Sequence, residues 1–217
     1  MTLRQLALSF LAFFAAVAAT TATELTDLGE RLAYLRVHSV GESAKAIASN
    51  VTADHALVLD LRYATTAPED ASVMRDALAR RSSRSPLLIL VSPATPEALQ
   101  PALATLPRGT VTLGVADSKP APQVVVMQPA EVDRRAYDAL DGGMKLEDLV
   151  TGKIEKERFD EASLVKEFQN GNAIAAPPPT PDPARVTPEK APVLTDRVLQ
   201  RAIHLHRALA ALQPRDA

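Results

Sequence analysis

Two runs of this chain are apolar at nearly every position: HALVLDLRY, His55 to Tyr63, and LLILV, Leu87 to Val91. A strand with one wet face alternates apolar and polar residues, so a strand without alternation must be covered on both faces. The sequence supplies that cover between its strands. VGESAKAIASNV (Val40 to Val51) repeats Val40, Ala44, Ile47 and Ala48 near helical spacing. PEDASVMRDALARR (Pro68 to Arg81) opens on a proline and two acids and closes on Arg80 and Arg81, charges that suit the ends of a helix dipole. RLAYLRVHS (Arg31 to Ser39) reads as a strand before them, and GTVTLGV (Gly109 to Val115) and PQVVVM (Pro122 to Met127) as β-branched strands after them. The order β-α-β-α-β-α-β-β implies right-handed crossovers onto a mostly parallel sheet with flanking helices, an α/β fold.

The stretch LLILVSPATPEALQ, Leu87 to Gln100, is a strand, a sharp turn and a helix start. Ser92 and Pro93 break the strand. Thr95 is placed as an N-cap, with Pro96 at the first helical position, Glu97 in the first turn and Pro101 kinking the helix that runs to Leu106. Many hydrolases use such an elbow to expose a serine beside backbone N–H donors. Here the turn carries Ala94.

The chain has 217 residues, 47% hydrophobic and 23% charged, with net charge −2, enough for one domain with its own core. That balance lacks the basic face that nucleic acid demands. Aromatic residues make up 4% and tryptophan is absent, which removes stacking platforms for bases. With no cysteine there is neither disulfide, thiolate catalysis nor thiolate metal ligation. At the N-terminus, Arg4 followed by the apolar run Leu6 to Ala19 and small residues reads as a secretory signal, cleaved after Ala18, Ala19 or Ala22. The alternatives are an uncleaved anchor or a buried apolar helix. With the signal removed near Thr23, the expectation is an exported protein, periplasmic or secreted, without a stable membrane span.

After Pro129 the chain turns charged and helix-prone through Gln169, interrupted by Asp141-Gly142-Gly143. Ala175 to Pro192 holds seven prolines and is expected to be an extended linker. Thr195 to Leu212 reads as an amphipathic helix capped by Thr195 or Asp196, with Val198, Leu199, Ala202, Leu205 and Leu209 on its apolar face. The expected organisation is a signal over 1–22, a core over 23–174 that includes a helical segment over 131–169, a Pro-rich linker over 175–192, and a terminal helix within 193–217 packing on the core.

Taken in order, these pieces resemble the C-terminal (tail-specific) processing peptidases, serine peptidases of the Clp-protease/crotonase-like fold. LAYLRVHSV resembles the family's "x-GYIRI-x-SF" strand, and LVLDLR (Leu57 to Arg62) its "LILDLRNNPGG" strand and loop. LLILVSPATPEALQPAL resembles its "SASASEI" elbow, GTVTLGVADSKPAPQ its "GEPTFGKGTVQ" segment, and DRVLQRAIHLHRAL its closing helix. The likeness spans about Leu32 to Leu209. It implies a serine nucleophile, a lysine general base and a glutamine that holds the lysine, with no cofactor and no metal. With Glu97 on the elbow glutamate, the nucleophile's seat is Ala94, the base is Lys119 and the lysine-positioning residue is Gln123.

The departures bear on catalysis. Ala94 has no hydroxyl to attack with. The family's Asn-Pro-Gly-Gly is replaced after Arg62 by Tyr63-Ala64-Thr65-Thr66-Ala67, and its glycine after the lysine by Pro120. No segment here matches the family's PDZ domain. Loss of a serine nucleophile costs on the order of 10⁶ in turnover in a serine protease. Loss of an oxyanion donor costs roughly 10²–10³. The resemblance therefore implies a pseudo-peptidase that still binds an extended peptide or unfolded segment by strand addition, with exchange of the terminal helix as a route to a homo-oligomer.

Two alternative nucleophiles stand nearby. Ser92 shares a face with Ala94 but would shift the attacking oxygen by roughly 6–7 Å at strand rise. Thr95 is the other; either would make the chain an active serine-type endopeptidase with Lys119 as base. A CoA-handling enzyme of the wider fold group is a third reading, without the glycine-rich loop it needs. His204 and His206 lie two apart on a helix and make a poor metal pair, while His38 and His55 lie in strands. Asp60 and Arg62 interrupt an apolar strand and are expected to form an ion pair or buried network.

Overall fold

The computed structural model describes residues 25–82, 84–151 and 193–212. The expected targeting segment, the Pro-rich stretch and the helical segment beyond Thr151 lie outside the described residues. The protein is α/β, built on a six-stranded, mostly parallel sheet flanked by helices. The strands are β1 (Leu25–Asp27), β2 (Leu32–Arg36), β3 (Ala56–Asp60), β4 (Leu87–Val91), β5 (Thr110–Gly114) and β6 (Val124–Val125), and they stand side by side in chain order. All neighbours are parallel except β1, which pairs antiparallel with β2. The three-residue β1 is too short to show a pattern in the sequence.

Sequential strand order carries a consequence. Crossovers of one hand that all step the same way deliver their helices to one face. That face is covered by α1 (Ala44–Thr52), α2 (Ala71–Ala79) and α3 (Gln100–Ala104). Their Ile47, Val51, Met74, Ala77, Leu78, Ala102 and Leu103 pack on Leu35, Leu57, Leu59, Leu87, Ile89 and Val91. The opposite face is left for α4 (Ala130–Asp141), α5 (Leu146–Thr151) and α6 (Arg197–Leu212). There Val198, Leu199, Ala202 and Ile203 of α6 meet Leu32, Tyr34, Val58, Leu88, Leu90 and Leu113. The central strands β3 and β4 are buried at every residue, as unbroken apolar runs require.

Local differences have local causes. Pro68–Asp70 forms a 3-10 turn ahead of α2, and Arg81, expected to close that helix, folds inward so that its guanidinium donates to the carbonyls of Val51 and Ser85. The stretch after the elbow is a 3-10 turn, Glu97–Leu99, followed by α3. Pro101 falls in the first turn of α3, where its missing N–H has no intrahelical acceptor to lose, so the expected kink is replaced by this 3-10/α junction. In α6 the buried stripe is Val198, Leu199, Ala202, Ile203 and His206, with Leu205 and Leu209 only half-buried. Asp196 is the cap: its Oδ1 accepts from the Leu199 N–H at 2.9 Å. No helix among the described residues is long and apolar enough to cross a membrane.

Candidate functional site

In open α/β sheets, ligands sit beyond the carboxyl ends of the parallel strands. Here that end gathers the turn after β4, the loops after β3 and β5, and the facing ends of α4 and α6.

The elbow after β4 is a closed turn. Pro93 and Ala94 are exposed, while Ser92 and Thr95 are buried beneath them. The Ser92 hydroxyl donates to the Arg62 carbonyl and accepts from the Ala94 N–H at 3.1 Å. Thr95 does not cap the following helix. Its Oγ1 accepts from the Ser92 N–H at 2.8 Å, and its own N–H donates to the Ser92 carbonyl at 3.2 Å. The N–H groups of Ala94 and Thr95, the natural donors to a developing oxyanion, are thus spent inside the turn. Both hydroxyls weighed as displaced nucleophiles are occupied as structural partners, Ser92 at 0% and Thr95 at 4% exposure.

The backbone of Lys119 lies against this elbow, its N–H donating to the Ser92 carbonyl at 3.1 Å. Its side chain is exposed, and the Lys119–Pro120 peptide is cis. The close approach of this loop needs Gly114: a Cβ there would stand 2.4 Å from the Val91 carbonyl oxygen and 2.6 Å from Ser118 Oγ. Gln123 does not hold Lys119. It pairs with Thr112 across the sheet, its Oε1 accepting from the Thr112 N–H and its N–H donating to Thr112 Oγ1, each at 3.0 Å. Strand geometry sends Gln123 to β5 because β6 pairs with that strand immediately afterwards.

One strand away the chemistry is dense. Ala56, Val58, Asp60 and Arg62 follow the period-two face of β3 that meets α4 and α6. Asp60, Arg62, Asp133 of α4 and Asp196 are each fully buried. Arg62 donates from Nη2 to Asp60 and Asp196 at 2.7 Å each, and from Nη1 to Asp133 at 2.7 Å and Asp196 at 3.0 Å. Tyr34 donates to Asp60 at 2.9 Å and Tyr63 to Asp133 at 2.7 Å. Burial by itself would lower the Arg62 pKa, but the three surrounding carboxylates override it and hold the guanidinium firmly charged. Burial, reinforced by Asp60, raises Tyr34 well above its ordinary value, and burial with Asp133 does the same to Tyr63. Asp133 is raised by burial, against the opposing pull of Arg62.

At the end of β2, Arg36 grips Asp141 with two bonds of 2.7 and 2.8 Å and lies 3.8 Å over the Tyr137 ring. Tyr137 is pushed up to about 12, first by burial. Arg36 and Asp141 border a cleft of about 680 Å³ that His38, Met144, Lys145 and Glu147 also line.

The expected Asp60–Arg62 network is therefore present and extends further than the sequence reading placed it. Asp133 was missed as a member, although it shares the stripe of α4 that Ala136, Tyr137 and Leu140 occupy, and an acid on an apolar stripe is the signal. Among the histidines, His204 is exposed and His206 is buried with Nε2 3.0 Å from the Glu30 carbonyl. His38 stands 3.9 Å from Asp141, and His55 is half-buried. Among the described residues no group of acids and histidines is arranged to hold a metal ion. No family model matches the chain, and no curated protein matches it either.

Proposed function

We propose that the chain is an exported, non-catalytic relative of the tail-specific serine peptidases, of Clp-protease/crotonase-like fold, that binds an extended peptide or unfolded protein segment. The observation that carries this reading is the elbow itself. A strand, tight turn and helix are built and presented at the surface with Ala94 at the tip, while the neighbouring hydroxyls and N–H groups are used up in the turn. The contact between the Lys119 backbone and Ser92 supports the same alignment, since the family places its lysine beside its nucleophile. Binding by strand addition requires backbone donors and acceptors on a sheet edge and no reactive serine. The outer strand β6, with Val125 exposed in it and Met127 exposed just after it, offers such an edge.

The test is a peptidase assay on the signal-free protein with an unfolded protein substrate, run beside Ala94→Ser and the double variant with Lys119→Ala. The expected result is an inert native chain, cleavage by Ala94→Ser, and loss of that cleavage in the double variant. Cleavage by the native chain, with fluorophosphonate labelling of Ser92 or Thr95, would establish the active peptidase instead. A peptide-binding measurement on the native chain that finds no extended ligand would remove the binding role.

A further inference from the structure

Where β3, α4 and α6 converge, three carboxylates share one guanidinium in a fully buried position. Full ionisation would set three negative charges against one positive charge in a dry interior, and carboxylates crowded together do not all ionise. The hydrogen bonds indicate which one yields. Asp60 accepts from the Arg62 backbone N–H, from Nε and Nη2, and from the Tyr34 hydroxyl. Asp196 accepts from both Nη atoms and from the Leu199 N–H. Asp133 receives a single bond from Arg62, and its other oxygen faces the Tyr63 hydroxyl, which can accept from a carboxylic acid as well as donate to a carboxylate.

We infer that this cluster is a proton-operated clasp: when Asp133 takes up a proton, the Tyr63 hydroxyl turns from donor to acceptor of their shared bond, and that proton holds α4 on the sheet. The groups facing Asp133 come from every packed element. Arg62 and Tyr63, after β3, bond it directly, Asp196 ahead of α6 and Asp60 of β3 share Arg62 with it, and Tyr34 of β2 bonds Asp60; on α4 itself the neighbouring Arg134 bonds Asp138. Burial favours the proton, with Asp196 adding to it, while Arg62 and the bond donated by Tyr63 oppose it. Because α4 also carries Asp141, the partner of Arg36, the clasp steadies one wall of the 680 Å³ cleft. The inference is independent of whether that end of the sheet binds peptide.

The sign follows from the raised carboxyl. An acid whose pKa is higher in the folded than in the unfolded chain contributes stability that is complete below the unfolded value of about 4 and is lost as pH rises through the folded value. Urea unfolding of the full chain and of Asp133→Asn, at a series of pH values, tests it. The ratio of the wild-type unfolding constant to that of Asp133→Asn should rise above pH ~4, by at most about tenfold per pH unit, and then level off. Amide protection factors in α4, with the intrinsic pH dependence of exchange divided out, should fall over the same window in the wild type only. A ratio that does not change with pH overturns the clasp. Should Asp133→Asn fail to fold, carboxyl ¹³C titration of the wild type decides. An Asp133 carbon that titrates well above 4 supports the proton, and one fully ionised down to pH ~4 overturns it.

Discussion

The ends of β3 and β4 are neighbours in the sheet and opposites in chemistry. After β3 the chain puts Arg62 and Tyr63 into contact with Asp133 and Asp196, all but Tyr63 out of reach of solvent. After β4 it puts Pro93 and Ala94 at the surface, where neither carries a reactive atom. Both lie at the edge where an open α/β sheet places its ligands. The charged groups at this edge hold helices to the sheet, and the exposed turn is kept in shape by hydroxyls that point inward. A cluster of perturbed groups is therefore no guide to reaction chemistry here, since structural networks perturb titration as well.

The largest difference between the two ends should appear on removing their central residues. Arg62→Met leaves Asp60, Asp133 and Asp196 buried without their cation, and breaking one partner out of a buried ion network costs about 3–5 kcal/mol. Ala94→Ser changes an exposed turn residue and should stay within about 0.5 kcal/mol. Urea midpoints of the two variants, with the slope checked for constancy, measure the contrast. Equal effects would mean that the Arg62 cluster is no more structural than the elbow.

Ser92→Ala probes the seam between the ends, because the Ser92 hydroxyl donates to the Arg62 carbonyl and accepts from the Ala94 N–H. Its loss leaves a buried carbonyl and a turn N–H unpartnered, at a cost of about 1–3 kcal/mol. The same urea experiment reads it. A neutral result would show the turn closing without its hydroxyl and would free Ser92 for another role.

The sheet was legible because unbroken apolar runs leave few alternatives: LLILV forms β4 with the bounds read from the sequence, and every interior helix falls between the expected strands. Strand ends were less so. Leu61 continues the apolar pattern of β3, and its N–H still donates to the Leu90 carbonyl, but the regular strand closes at Asp60. Thr95 has the composition of a cap, yet a hydroxyl in a tight turn can satisfy the N–H behind it as easily as one ahead, and here the Ser92 N–H takes it. At the site, Asp60 and Arg62 stood out as charges inside an apolar strand. Periodicity marks Asp133 as an acid on an apolar stripe, but that Asp133 and Asp196 meet Arg62 is decided by tertiary contact between segments far apart in the chain, which local pattern does not encode.

The smallest expected effect contrasts the two ends of α4. Asp133 is raised by burial, whereas Asp141 is lowered, chiefly by its hydrogen bonds from Arg36. A carboxyl whose folded pKa is depressed contributes stability that is present above the unfolded value of about 3.9 and is lost as pH falls through the folded value. Asp141→Asn should therefore lose stability near neutral pH and match the wild type in strong acid, the reverse of the trend expected for Asp133→Asn. The Asp141 side chain is 52% exposed, so solvent screening limits the pair to about 0.2–1 kcal/mol despite its two-pronged geometry. Thermal midpoints of the variant and the wild type at about pH 7 and pH 3 separate the two signs. Parallel pH trends for Asp133→Asn and Asp141→Asn would show that one shared cause acts along α4, in place of burial at one end and an arginine at the other.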